Sequence, residues 1–233
     1  MHYYFVTGAS RGIGLALAKK LSAQANNTVY TYQRSKINQD FDCIQQEIDL
    51  SNPEVLKSFS FPELKNVESV CLINNAGNIG EIKRLGHQNP AKILDAINVN
   101  LSAPLILCNA FLKAFHLVKH KTILNISSGA ATRAIDSWSA YCCSKAGLEM
   151  LGACLKEETE INKQALNVIN ISPGVVDTAM QTEIRSSDKN EFSLRHKFIQ
   201  LKEQGELKST DRVAEQIVTL LSTPENLDLS LSL

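Results

Sequence analysis

The stretch YYFVTGASRGIGLALAKKLSAQA, residues 3–25, decides the fold. Its first residues are aromatic and β-branched, the pattern of a buried strand. Its second half sets Leu15, Ala18 and Leu21 on one side and lysines on another, which is amphipathic helical spacing. Between the two lie Gly8, Gly12 and Gly14, where no β-carbon blocks a ligand's close approach to the backbone. A helix that opens there offers unpaired N–H groups and a positive dipole end to phosphate. Strand, Gly-rich turn and helix in that order read as the pyrophosphate end of a dinucleotide site, with a plain tight turn as the alternative. The residues assigned to it are Gly8, Ser10, Arg11, Gly12, Ile13 and Gly14, spaced G-x-x-x-G-x-G rather than G-x-G-x-x-G.

The alternation continues along the chain. NTVYTYQRS and FDCIQQEIDLS read as strands, the second followed by a helix start at Pro53. VESVCLINNAG is an apolar run closed by an Asn/Gly turn, and KTILNISS and LNVINISPG are two more strands. Helical spacing marks PAKILDAINVNLSAPLILCNAFLKAFHLV, with a bend expected at Pro104, then WSAYCCSKAGLEMLGACLKEETE and STDRVAEQIVTLLS. Strands separated by helices imply an α/β protein: one Rossmann-like domain over residues 1–233, a doubly wound parallel sheet with helices on both faces. The polar, irregular stretch after Pro173 and Gly174 reads as a substrate lid over roughly 179–206, or else as a solvated helical excursion.

Composition narrows the partners. Lys plus Arg number 24 and Asp plus Glu number 24, so no net field draws the 233-residue chain to nucleic acid or to an anionic membrane. The chain opens directly into a strand, with no basic leader, and no apolar stretch reaches the ~18 residues of a membrane span. The expectation is a cytoplasmic protein. The 6 cysteines form no C-x-x-C pair and read as small buried hydrophobes, with no metal site expected. His116 and His120 read as surface residues of one helix.

Cofactor choice rests on charge. NAD-selective sites carry an acid at the end of strand two, whereas here Gln33 and Arg34 stand there, and Arg11 lies in the glycine turn. Two guanidiniums suit a 2′-phosphate, which argues for NADP(H); the alternative for Arg34 is a solvated strand-end charge. Asp49, with Leu50 beside it, ends strand three, either facing adenine or capping the helix that follows.

The chemistry rests on NISSGAATRAIDSWSAYCCSKAGLEML, residues 125–151. Tyr141 and Lys145 are i and i+4 on one helix face, and an ammonium and an oxidised nicotinamide would both favour phenolate. A carbonyl that accepts hydride becomes an alkoxide and needs a proton, which a tyrosine can give while a serine hydroxyl holds the same oxygen. Ser128 at a strand end and Tyr141 on the next helix can reach one site above the sheet.

In order along the chain, TGASRGIG, NNAG, NVN, ISS, YCCSK and SPGVVDT resemble the motifs of the short-chain dehydrogenases/reductases, from the first residues to about Leu221. The resemblance implies a catalytic tetrad of Ser128, Tyr141, Lys145 and Asn100. Tyr141 would be the acid in reduction, Lys145 would hold the nicotinamide ribose and lower the phenol's pKa, and Asn100 would kink its helix and hold a water. Asn75, Ala76 and Gly77 would line the adenosine ribose, and Pro173, Gly174, Val176 and Thr178 would flank the nicotinamide.

Trp138 before the tyrosine and the turn SPGVVDTAMQ further resemble the sepiapterin and benzil reductase branch. That implies an NADPH-dependent reductase of a small ketone or α-dicarbonyl, with Ser128, Trp138, Tyr141 and Met180 around the substrate; the alternative for Trp138 is a packing aromatic. The pterin-anchoring acid of that branch has no clear counterpart, Asp228 being an unsupported candidate. The competing readings are reduction of a 3-oxoacyl carrier and a non-catalytic NADP-binding regulator. The same resemblance implies a homodimer formed through the two long helices.

Overall fold

Among the residues that the computed structural model describes (1–38, 40–224 and 227–233), seven strands form one parallel sheet. They are β1 (His2–Thr7), β2 (Asn27–Gln33), β3 (Ile44–Glu47), β4 (Ser69–Asn74), β5 (His120–Ile126), β6 (Leu166–Ser172) and β7 (Ser230–Ser232). Their order is β3-β2-β1-β4-β5-β6-β7. The direction of winding reverses between β1 and β4, and a crevice therefore opens at the carboxyl ends of those strands.

Residues alternate across the sheet, and each face finds its own helices. Val6, Cys71, Ile73, Leu124 and Ile169 pack with α1 (Gly12–Ser22) and α8 (Thr210–Leu221). Phe5, Val70, Leu72, Ile123 and Val168 pack with α2 (Pro53–Lys57), α4 (Ala103–Ala114) and α5 (Ser139–Asn162). This is the doubly wound sheet that the sequence pattern implies.

Three asparagines tie α5 to the sheet. Asn74, Asn125 and Asn170 share one register across β4, β5 and β6. Asn74 Nδ2 donates to Asn125 Oδ1 at 2.9 Å, and Asn125 Nδ2 donates to Asn170 Oδ1 at 2.9 Å. Asn170 Nδ2 donates to the Glu149 carboxylate of α5 at 2.8 Å, which also accepts from Ser230 Oγ at 2.7 Å. Gly152 lets α5 sit this close, because a β-carbon there would lie 2.5 Å from Asn170 Nδ2. Buried amides chained in this way favour one arrangement, here the seating of the helix that carries Tyr141 and Lys145, although Asn74 Oδ1 at the far end has no partner.

Several expectations need correction. The long helix departs from regular geometry ahead of Pro104. It runs as α3 (Pro90–Ile97), a π-turn over Asn98–Ser102, and α4, and the Ala103 N–H reaches back five residues to the Asn98 carbonyl. Pro104 has no N–H to give the Asn100 carbonyl, so the ladder widens one turn ahead of the proline. Since α4 ends at Ala114, His116 and His120 do not share a helix; His120 opens β5.

By length and average composition the Pro90–Ala114 segment does match a membrane span, contrary to the expectation of none. Lys92, Asp95 and three asparagines interrupt it, so a search for an unbroken apolar run passes over it. One side of it packs on the sheet through Leu107, Cys108 and Phe111. Of the cysteines, Cys71 and Cys108 are buried, but Cys143 and Cys154 are exposed on the outer side of α5. The stretch expected as a substrate lid or a solvated helical excursion contains two helices, α6 (Ala179–Arg185) and α7 (Arg195–Glu203), and it is packed rather than solvated, with Ile184, Phe192 and Phe198 buried against Trp138 and Tyr141.

Candidate active site

The glycine turn is shaped by contacts that exclude side chains. Gly8 and Gly12 have φ of +66° and +62°, in the left-handed region. A β-carbon on Gly8 would lie 2.7 Å from Ala76 Cα, and one on Gly14 would lie 2.3 Å from Asn75 Nδ2. Thr7 locks the turn to the end of β4. Its hydroxyl accepts from the Asn75 and Ala76 N–H groups, both at 3.0 Å. The Asn75 amide donates to the Thr7 and Gly8 carbonyls at 2.9 and 3.2 Å, so its side chain holds the turn in place. The first N–H groups of α1 emerge beside this turn without a side-chain cap.

At the far end of the crevice, the π-turn places Asn100 behind the site. Its amide donates to the Asn78 carbonyl at 2.8 Å and to Ser144 Oγ at 3.1 Å, and its Oδ1 accepts from the Asn78 N–H at 2.9 Å. Lys145 Nζ donates to the Ile126 carbonyl at 2.8 Å and sits 5.8 Å from the Tyr141 ring centre. Ser128 lies two residues past β5 in extended backbone, where its Oγ accepts from the Ala130 N–H at 3.2 Å and faces the Tyr141 phenol closely enough to pull its pKa down.

Burial governs both titrating groups. It pushes the Lys145 ammonium down to about 8, against a smaller opposing pull from Glu149. It pushes the Tyr141 phenol above 10.0, with Ser128 pulling the other way. In the chain by itself desolvation sets the direction for the phenol, and the Lys145 amine gives its hydrogen bond to Ile126.

One cavity of about 420 Å³ joins the two ends. Its lining includes Gly8, Ser10, Arg11, Gly12, Ile13, Arg34, Asp49, Leu50, Asn75, Ala76 and Gly77 at one end. At the other it includes Ser128, Trp138, Tyr141, Lys145, Pro173, Gly174, Val176, Thr178 and Met180. Gly14 and Asn100 stand behind this lining as supports, and Asp228 takes no part in it. Asp49 does not cap α2, since Asn52 does; its carboxylate accepts from the Ser51 N–H and hydroxyl, which hold its pKa low, with a smaller pull from Arg34.

The donor set fits a nicotinamide dinucleotide. The turn leaves backbone bare for phosphate, two arginines stand at the same end, and four residues of the cavity lining each carry a buried polar atom without a protein partner: Gln33 Oε1, Ser127 Oγ, Trp138 Nε1 and Gln181 Oε1. Buried polar atoms are seldom left so.

Sequence reading missed Thr7, Gln181, Phe192 and Phe198. Thr7 stands inside the quoted motif and carried a usable signal. The two phenylalanines reach Trp138 from more than fifty residues away, at ring distances of 5.4 and 5.5 Å, and nothing local announces them.

Comparison with known proteins agrees with this geometry. Benzil reductase ((S)-benzoin forming) of Bacillus subtilis (strain 168) is 38% identical over 228 residues, covering 95% of this chain and 93% of that protein. Sepiapterin reductase of Meriones unguiculatus is 28% identical over 239 residues, covering 93% and 89%. The crystal structure of the KRED1-Pglu enzyme superposes with a TM-score of 0.85 at 27% identity, covering 100% of each chain. The short chain dehydrogenase family profile matches residues 3–189, and with these relatives it makes the chain a member of that oxidoreductase family.

Proposed function

We propose that the chain is an NADPH-dependent carbonyl reductase acting on a small ketone or α-dicarbonyl. The observation that carries this reading is the single cavity, with arginines and bare backbone at one end and Ser128, Tyr141 and Lys145 beside an aromatic wall at the other. The cofactor, when bound, supplies hydride. Ser128 holds the carbonyl oxygen, Tyr141 protonates it, and Lys145 holds the nicotinamide ribose. Asn100 supports this end by tying the π-turn to Asn78 and Ser144. Arg11 and Arg34 take the 2′-phosphate. The planar rings of Trp138 and Phe198, which line the cavity with Phe192 packed behind them, suit aryl and dicarbonyl substrates, in keeping with the benzil and sepiapterin reductase relatives.

The first test is oxidation of NADPH by the purified protein with benzil, a series of small diketones and sepiapterin. Turnover of at least one supports the reading, and tight NADPH binding without turnover of any carbonyl removes it. Replacing Arg34 with Asp should lower the preference for NADPH over NADH about 10- to 100-fold, the worth of one charge-assisted hydrogen bond. An unchanged ratio would show that Arg34 does not meet the 2′-phosphate.

A homodimer belongs to the same proposal. Cys143, Ala146, Met150 and Cys154 form an exposed stripe of small and apolar side chains along α5, and Leu94 and Leu105 are exposed on the α3–α4 segment. Light scattering on the purified chain reads this directly.

A further inference from the structure

Two segments far apart in the chain, Asp136–Trp138 and Glu191–Ser193, meet residue against residue. The Asp136 carboxylate accepts from the Ser193 N–H at 3.0 Å and from its hydroxyl at 2.8 Å. Ser137 Oγ donates to the Glu191 carbonyl at 2.7 Å. Trp138 stacks on Phe192 at 5.4 Å with the planes 19° apart. Ser137 has φ of +63°, a left-handed backbone that disfavours a side chain; its hydroxyl bond to Glu191 helps hold it there.

Glu191 also grips a third segment. Its carboxylate accepts from the Arg84 N–H at 3.1 Å and meets His87 Nδ1 at 2.7 Å. Phe192 is therefore held by hydrogen bonds on both sides and is only 1% exposed, although Asn190 and Ser193 lie open to solvent. The segment between α6 and α7 cannot move away without breaking these bonds and uncovering Phe192. Trp138 in turn lies edge-on to Tyr141 at 5.7 Å, so an aromatic run leads from this segment to the phenol.

We propose that Glu191 and Asp136 are positioning residues for the reductase. They clasp the α6–α7 segment onto the start of α5, and the closed clasp sets the aromatic wall on which the substrate's apolar part rests. This rests on the reading of the site as a carbonyl reductase and adds the element that sets substrate affinity. Neither residue lines the cavity, so both act through Trp138 and Phe192.

The single tryptophan of the chain, Trp138, gives a direct readout. In the purified full-length Glu191→Ala/Asp136→Ala double variant, acrylamide quenching of its fluorescence should rise at least about threefold, with a red-shifted emission. KM for benzil should rise about tenfold while kcat changes less than about threefold, because the loss is of binding common to ground and transition states. Asp136→Asn, which keeps an acceptor for Ser193, should restore most of the affinity. If the double variant does not fold, Ser193→Ala removes one of the clasp bonds alone and should move both readouts in the same direction. Quenching that stays at the wild-type value, or a fall in kcat with KM unchanged, would overturn the clasp. Failure of the wild type to reduce any carbonyl would count against the reductase reading instead, and the quenching experiment would still decide the clasp.

Discussion

Changing Tyr141 to Phe should lower kcat/KM for carbonyl reduction by about 10²- to 10⁴-fold, the usual worth of a placed general acid, while leaving NADPH affinity within about twofold. The ring is buried against Trp138, and Phe preserves its volume, so the loss is confined to one hydroxyl. The direction of reaction matters to the argument. A proton donor must be protonated at the working pH, and burial holds this phenol above its ordinary 10.0. An alkoxide formed by hydride addition is far more basic than any phenolate, so the transfer runs downhill even from so weak an acid. Reduction should therefore be flat through neutral pH, should decline as the Lys145 ammonium titrates at about 8, and should decline further where the phenol ionises. The reverse oxidation needs phenolate and should rise with pH over the same range. Single-turnover decay of NADPH absorbance across pH measures both limbs. A Phe variant that retains wild-type single-turnover rates would remove Tyr141 from the chemistry.

The parts of this site that the sequence announces are those built from neighbours. The glycine turn, the Tyr141–Lys145 spacing and the serine just past β5 each lie within one strand-turn-helix unit, and the sheet brings those units to one edge. What escapes the sequence depends on depth or on distant partners. The shift of the Tyr141 phenol follows from burial that no residue pattern encodes. The π-turn follows from Pro104, but it appears ahead of the proline, where the ladder lacks its donor. Two of the six cysteines are exposed because α5 keeps an uncovered side, and amino-acid type alone cannot assign a face. The aromatic wall joins Trp138 to Phe192 and Phe198 through packing of α6 and α7, helices in a stretch whose polarity announces no buried face.

Lys145 provides the second large effect, and its sign is opposite for stability and for activity. The amine titrates at about 8 in the fold against 10.5 for an exposed lysine, because burial disfavours the charge. Between those two values the unfolded chain binds more protons than the folded one, so stability from this group rises with pH from about 8 toward 10.5. Below about 8 the full cost of the buried charge remains, about 3 kcal/mol by linkage. Lys145→Met removes that charge and keeps an unbranched chain of similar length. It forfeits the hydrogen bond to the Ile126 carbonyl, worth about 1 kcal/mol. The cofactor-free variant should then be about 2 kcal/mol more stable than wild type at pH 7, with the gap closing as pH rises toward 10.5. Glu149 should tolerate the change, because Asn170 and Ser230 already donate to its carboxylate. Turnover, by contrast, should fall at least about 100-fold, since the Lys145 ammonium, 5.8 Å from the Tyr141 ring centre, is the group placed to hold the ribose and steady the developing charge. Urea titrations at several pH values, paired with NADPH assays, measure both quantities on the same preparations. A Met variant that is less stable than wild type at pH 7 would mean that the Ile126 bond outweighs desolvation. A variant that is more stable yet fully active would mean that the ammonium is not part of the chemistry.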